Sequence, residues 1–152
     1  MHPSSADSLF MIALAFFFVF LNAFFVLSEF SIVKVRKTRL EELVKDKVPN
    51  AKIALDMSNN LDTYLSATQL GITLSSLALG WIGEPAVARL IEEPLKTYFN
   101  LSDILVHTVA FAIAFTLITL MHVVLGELVP KSVAIAKSEK AVLAIARPLH
   151  VF

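Results

Sequence analysis

No cysteine occurs in the sequence, which excludes disulfides and thiolate metal sites and leaves the redox compartment open. Neither sign of charge is in excess: 13 Lys and Arg stand against 13 Asp and Glu, so there is no electrostatic case for nucleic acid. Glycine is scarce at four residues, and no phosphate-cradling glycine loop is visible. No nucleophile–base pairing, internal repeat or low-complexity tract appears either, so enzymatic chemistry is not expected. What is abundant is apolar. The 152 residues amount to one domain, yet 57% are hydrophobic and the mean hydropathy is +0.73. Soluble domains hold about 45–50% apolar residues, so the surplus is expected to face lipid. Phe supplies much of it, with 12 residues against one Trp and two Tyr.

Three apolar segments are long enough to cross a bilayer, at about residues 9–33, 61–82 and 103–129. The first is preceded by no Lys or Arg, unlike a secretory signal, and Asp7 is a plausible N-cap. Residues 34–60 are polar and basic, with Leu40, Leu43, Val44 and Val48 at helical spacing. They predict an amphipathic helix at the membrane surface, broken at Pro49. Residues 83–102 read as a loop with a short interfacial helix interrupted at Pro94. Residues 131–147 read as a juxtamembrane helix. Asn60 and Ser102 are placed to cap the second and third spans. The predicted fold class is therefore an all-α integral membrane domain of three transmembrane helices plus short interfacial helices. Lys and Arg concentrate in the first loop and the C-terminal tail, which predicts an outside N-terminus and a cytoplasmic C-terminus in a multi-pass protein of the cell (plasma or inner) membrane.

Polar side chains inside a bilayer are costly and turn toward a partner or a water-filled cavity. Asp62, Ser66, Gln69, Thr73, Ser76 and Gly80 follow one another at steps of 4, 3, 4, 3 and 4, which places them on one stripe of the second helix. That stripe reads either as a cavity lining or as a packing seam of small polar residues. In the first helix Asn22 and Ser28 are deep, whereas Glu29 reads as an interfacial charge. The third helix ends in Gly126-Glu127-Leu128-Val129-Pro130-Lys131. Pro130 has no N–H to give the Gly126 carbonyl, and Val129 is expected to leave helical geometry before it. The sequence thus predicts a broken helix and a free backbone oxygen beside the Glu127 carboxylate. A Glu127–Lys131 ion pair is the alternative fate of that charge. Carboxylate, carbonyl, hydroxyl and amide oxygens suit hard cations such as magnesium or calcium. His107 and His122 read as packing or interface residues rather than ligands.

These residues carry a resemblance to a known family. The stretches Asn22-Ala23-Phe24-Phe25-Val26-Leu27-Ser28-Glu29, Gln69-Leu70-Gly71-Ile72-Thr73-Leu74 and Gly126 to Lys131 resemble the transmembrane domain of the CorC/CNNM magnesium transporters, over nearly the whole chain. The resemblance implies a homodimer in the lipid bilayer with a Mg²⁺ site between the helices. It implies magnesium export, with Na⁺ as the coupling ion, and a cytoplasmic paired-CBS regulatory region beyond residue 152. Such a region is expected to be absent from the domain spanned by residues 1–152. By the same resemblance Glu127, the Gly126 carbonyl and Ser28 match metal ligands. Ser75 or Ser76 stands where some relatives have Asn, while Asn22 and Thr73 are available for remaining positions. Pro130 and Lys131 take structural parts. The competing reading is a dimeric membrane anchor for a cytoplasmic regulatory domain, whose polar stripes only hold helices together.

Overall fold

The structure, a computed structural model, describes residues 5–152, with side chains from Ala6 onward. Every regular element among them is helical: α1 (Ser5–Lys34), α2 (Lys37–Lys45), α3 (Ala51–Asn59), α4 (Leu61–Phe99), α5 (Asp103–Val123), a π-helical turn (Val124–Leu128), α6 (Val129–Ala136) and α7 (Ser138–Val151). Three rods are long and apolar enough to cross a membrane: Ala6–Lys34, Leu61–Phe99 and the continuous run Asp103–Ala136. The chain is a multi-pass, all-α membrane protein.

Two rods run on where the sequence suggests an end. The second span continues through residues 83–102 as far as Phe99, with Pro85 and Pro94 inside the helix. Each proline removes one backbone bond. Packing of Val87, Ala88, Ile91 and Leu95 on Ala110 and Ala114 of α5 holds the rod together, so tertiary contact overrides the local break. At 39 residues α4 is about 58 Å long, well beyond a hydrocarbon core of about 30 Å. The third span likewise does not break at Pro130. Val129 is helical (φ −64°, ψ −50°), and residues 131–136, expected in the juxtamembrane helix, extend the span instead. The juxtamembrane helix proper starts at Ser138.

The amphipathic segment is indeed two short helices separated near Pro49, with the left-handed Asn50 (φ 67°) at the start of α3. Its apolar side meets protein rather than lipid. Leu40 and Leu43 of α2, Ala51, Ala54 and Met57 of α3, and Val142, Ile145, Ala146 and Leu149 of α7 form one core with Phe25 and Ile32 of α1 and with Val35 just after it. Arg39 of α2 is paired with Glu139 of α7 at 3.1 Å, and the Asn50 amide donates to the Leu143 carbonyl at 3.2 Å. Tyr64 of α4 meets His150 at 2.9 Å. This three-helix cap is thereby fixed to one end of the bundle.

Of the capping residues, Ser102 accepts from the Leu105 N–H at 3.4 Å as its position suggests. Asn60 stands before α4, but its amide donates back to the Asp56 carbonyl at 2.9 Å. Asp7 lies within the first turn of α1 rather than ahead of it. Between the spans, α1 is in closest register with α4. A Cβ at Gly71 would stand 2.6 Å from three ring atoms of Phe25, so only glycine lets the two rods approach this closely. Further along, Ala15 and Val19 of α1 meet Leu79 of α4 and Ile118 of α5, where all three spans converge.

Candidate functional site: a polar network at the crossing of three spans

The site begins with a register change. In the five-residue π turn Val124–Leu128, the Val129 N–H reaches the Val124 carbonyl, one residue further back than in an α-helix. Pro130 follows, and it lacks the N–H that an α-helix would supply to the Gly126 carbonyl. That carbonyl is not unpartnered, which corrects the expectation of a free oxygen. The Asn22 Nδ2 of α1 donates to it at 2.9 Å. Gly126 suits this approach, because a Cβ there would lie 3.1 Å from Asn22 Nδ2 and 3.3 Å from His122 Cδ2 and would press both side chains back by a few tenths of an ångström.

The network continues through α4. Ser76 Oγ donates to Asn22 Oδ1 at 3.1 Å and lies 3.1 Å from His122 Nε2. A carbonyl oxygen can only accept, so the Asn22 orientation follows from Gly126. With the Ser76 hydroxyl donating to Asn22, the contact with His122 is satisfied by the tautomer that carries its hydrogen on Nε2. The same Nε2 stands 3.6 Å from Glu127 Oε1. Asn22 is fully buried, and no buried side-chain polar atom among the described residues is left without a partner.

Of the sequence candidates, Asn22, Ser76, Gly126 and Glu127 are brought together. Ser28 and Ser75 are buried, each hydroxyl donating to its own helix: Ser28 to the Phe24 carbonyl and Ser75 to the Gly71 carbonyl, both at 2.7 Å. Their lone pairs stay available as acceptors. Thr73 is exposed and bonded to the Gln69 carbonyl at 2.9 Å, apart from the network. Most of the polar stripe of α4 shares its fate: Asp62, Ser66, Gln69 and Thr73 are exposed, and the face packed inward is Thr68, Gly71, Ser75 and Leu79 instead. Pro130 is buried. Lys131 lies 4.8 Å above the Phe30 ring, and no Lys131–Glu127 ion pair is present among the described residues.

His122 is the residue whose part sequence reasoning missed. Its position four before Gly126 and five before Glu127, on a rod about to change register, was the available signal. Beside it opens a cavity of about 260 Å³ between α4 and α5, lined by Ser76, Gly80, Thr119 and His122 and reaching Glu84. No cluster of three or more His, Asp or Glu side chains that could hold a metal ion exists among the described residues.

A buried polar network joining three apolar spans defines an integral membrane domain with an intramembrane polar centre. Its family can be stated as well. Residues 13–152 match the family described as the cyclin M transmembrane N-terminal domain, and the chain belongs to that CNNM family. It is 49% identical over 146 residues to the UPF0053 protein YhdT of Bacillus subtilis, covering 96% of this chain and 31% of that protein. The UPF0053 protein YugS of the same organism is 44% identical over 134 residues, covering 88% and 31%. The protein Rv1841c of Mycobacterium tuberculosis is 37% identical over 149 residues, covering 96% and 41%. The chain thus spans about a third of the length of the first two relatives.

The geometry makes Asn22 the joint between spans. A double-mutant cycle of Asn22→Ala and Ser76→Ala in detergent is expected to return a coupling of about 0.5–1.5 kcal/mol in unfolding free energy. Strictly additive losses would show that the two side chains do not bond.

Proposed function

We propose that this domain carries magnesium ions across the membrane as a homodimer, through an oxygen-lined site built on the π turn of the third span. One observation carries the reading: at the π turn the Gly126 carbonyl, next to Glu127 in the chain, accepts from the Asn22 Nδ2 of the first span, whose Oδ1 in turn accepts from Ser76 of the second. A carbonyl oxygen has two lone pairs, so it can accept from Asn22 and still face a cation. Mg²⁺ takes about six oxygens and keeps several waters. Glu127, the Gly126 carbonyl and a serine of each other span (Ser28, and Ser75 or Ser76) supply the protein's share. Thr73, exposed on α4, is left out of this set.

The homodimer is supported by the outward stripe of Asp62, Ser66, Gln69 and Thr73, since polar groups at membrane depth call for a second copy or a water-filled cavity. Export coupled to sodium entry, and control by a cytoplasmic CBS-pair region in a longer protein, follow from the resemblance to CorC/CNNM transporters. The orientation rests on the basic cap, with α2, α3 and α7 cytoplasmic. A second reading, the dimeric anchor, is favoured by the fact that the network is fully bonded without any ion.

Two measurements separate these readings. Magnesium binding to the folded state raises the melting temperature in detergent, by about 2.7 kcal/mol of linkage at a hundred-fold excess over Kd. Glu127→Gln keeps the shape and is expected to move the magnesium midpoint upward at least about ten-fold. An equal response in parent and variant removes Glu127 from the site, and no response in the parent favours the anchor. Single cysteines replacing Thr38 and Thr97, both exposed in a chain without cysteine, are expected to label from opposite sides of the membrane. Labelling from one side overturns the orientation.

A further inference from the structure

A second polar site lies at the far end of α1, away from the network. Lys34 is the last residue of that span, and a cleft of about 540 Å³ opens there between α1, α2 and α7. Three cationic side chains line it, Lys34, Arg36 and Arg39, together with the hydroxyl residues Thr38 and Ser138 and the carboxylates Glu42 and Glu139.

The two carboxylates are already engaged. Arg39 meets Glu139 through Nε at 3.1 Å and Nη2 at 3.3 Å, and Glu42 through Nη1 at 2.9 Å. These hydrogen bonds, first to Glu139 and then to Glu42, hold the Arg39 guanidinium above its ordinary pKa. No ion pair to Lys34 or Arg36 is present among the described residues, although both line the same cleft. Arg39 engages both carboxylates and offsets one of their two charges; with Lys34 and Arg36, which have no carboxylate partner there, the lining is left net positive. Both helices that frame the cleft begin at it. Arg36 precedes α2 and Lys137 precedes α7, and neither start has a side-chain cap, so first-turn N–H groups remain for an anion. Lys37 and Lys137 add positive charge next to those starts.

We propose that this cleft binds a phosphate group, and that the phosphate is the headgroup of an anionic phospholipid. The chemistry is that of a phosphate cradle: two cations without carboxylate partners, two hydroxyls and open helix starts. The source is argued from position. The cleft sits where a membrane-spanning helix of 30 residues ends; at about 45 Å that helix is long enough to reach from one headgroup layer to the other, and the cleft volume is in the range of ligand pockets, about 300–1,000 Å³. Binding a headgroup there would fasten the cap of α2, α3 and α7 to the bilayer at the base of the helix that carries Asn22. The proposal does not depend on magnesium transport, and the binding itself does not depend on which leaflet the cleft faces.

The test uses the purified chain in phosphatidylcholine nanodiscs, with phosphatidylglycerol added stepwise and the melting temperature as readout. The parent is expected to be stabilised by phosphatidylglycerol. The Lys34→Gln/Arg36→Gln variant, both positions exposed, is expected to melt like the parent in pure phosphatidylcholine but to need at least about ten-fold more phosphatidylglycerol for half the effect. Lys45→Gln/Lys52→Gln removes as much exposed charge from α2 and α3 outside the cleft lining, and is expected to shift that midpoint by less than about two-fold. Equal shifts in the two variants, or no response of the parent to phosphatidylglycerol, overturn the lipid site. Inorganic phosphate, added to phosphatidylcholine nanodiscs, distinguishes the source: stabilisation by phosphate alone, lost in Lys34→Gln/Arg36→Gln, keeps the cradle and overturns the lipid as its occupant.

Discussion

The amide of Asn22 is the point through which the three spans are tied together. It donates to the third span at the Gly126 carbonyl and accepts from the second at Ser76. In hydrocarbon each of these groups would cost several kcal/mol if left alone, on the order of the penalty for any unsatisfied polar group. The spans are therefore held in register by mutual need rather than by apolar attraction, which is weak between helices already surrounded by lipid tails. Around this joint the packing is made of small residues: Ala15 on the first span, Gly71 and Ser75 on the second, Gly126 on the third. These let the backbones approach closely enough for one amide to reach both neighbours.

The π turn is what makes the joint possible on the third span. A regular helix would keep the Gly126 carbonyl inside its own ladder, and a full break at Pro130 would expose several carbonyls at membrane depth. Here one widened turn followed by proline places the Gly126 carbonyl against Asn22, and the rod continues to Ala136. The carboxylate of Glu127 and the ring of His122 are then carried to the same level, 3.6 Å apart.

Much of this was legible in the chain. The three spans, the basic segment broken at Pro49 and the Gly126–Lys131 signature are visible as hydropathy, charge and spacing. Asn22, Ser76, Gly126 and Glu127 stand out as polar groups in apolar runs, and they do meet. What stayed hidden depended on packing. Pro85, Pro94 and Pro130 read as helix ends, yet neighbouring helices supply enough contact to carry each rod past its lost bond. The stripe from Asp62 to Gly80 has correct helical spacing, but spacing fixes only which residues share a face and not which face turns inward. A rotation of about one residue puts Thr68, Gly71 and Ser75 inside. The apolar side of residues 34–60 is likewise covered by α7, a partner nearly a hundred residues away in sequence, which no local pattern reveals.

The proposed cation site requires that the π turn ahead of Pro130 leave the Gly126 carbonyl able to face a cation as well as Asn22. Pro130→Ala tests it directly, because it restores one N–H that can draw the Gly126 carbonyl back into an α-helical ladder. Alanine is about 3 kcal/mol better than proline in a helix interior, so the variant should fold at least as well as the parent. The measurement is a magnesium titration of melting temperature, parent beside variant, with calcium as the comparison ion. The account predicts an equal or higher melting temperature without magnesium and a magnesium midpoint displaced to higher concentration. A well-folded Pro130→Ala protein with an unchanged magnesium midpoint would contradict it.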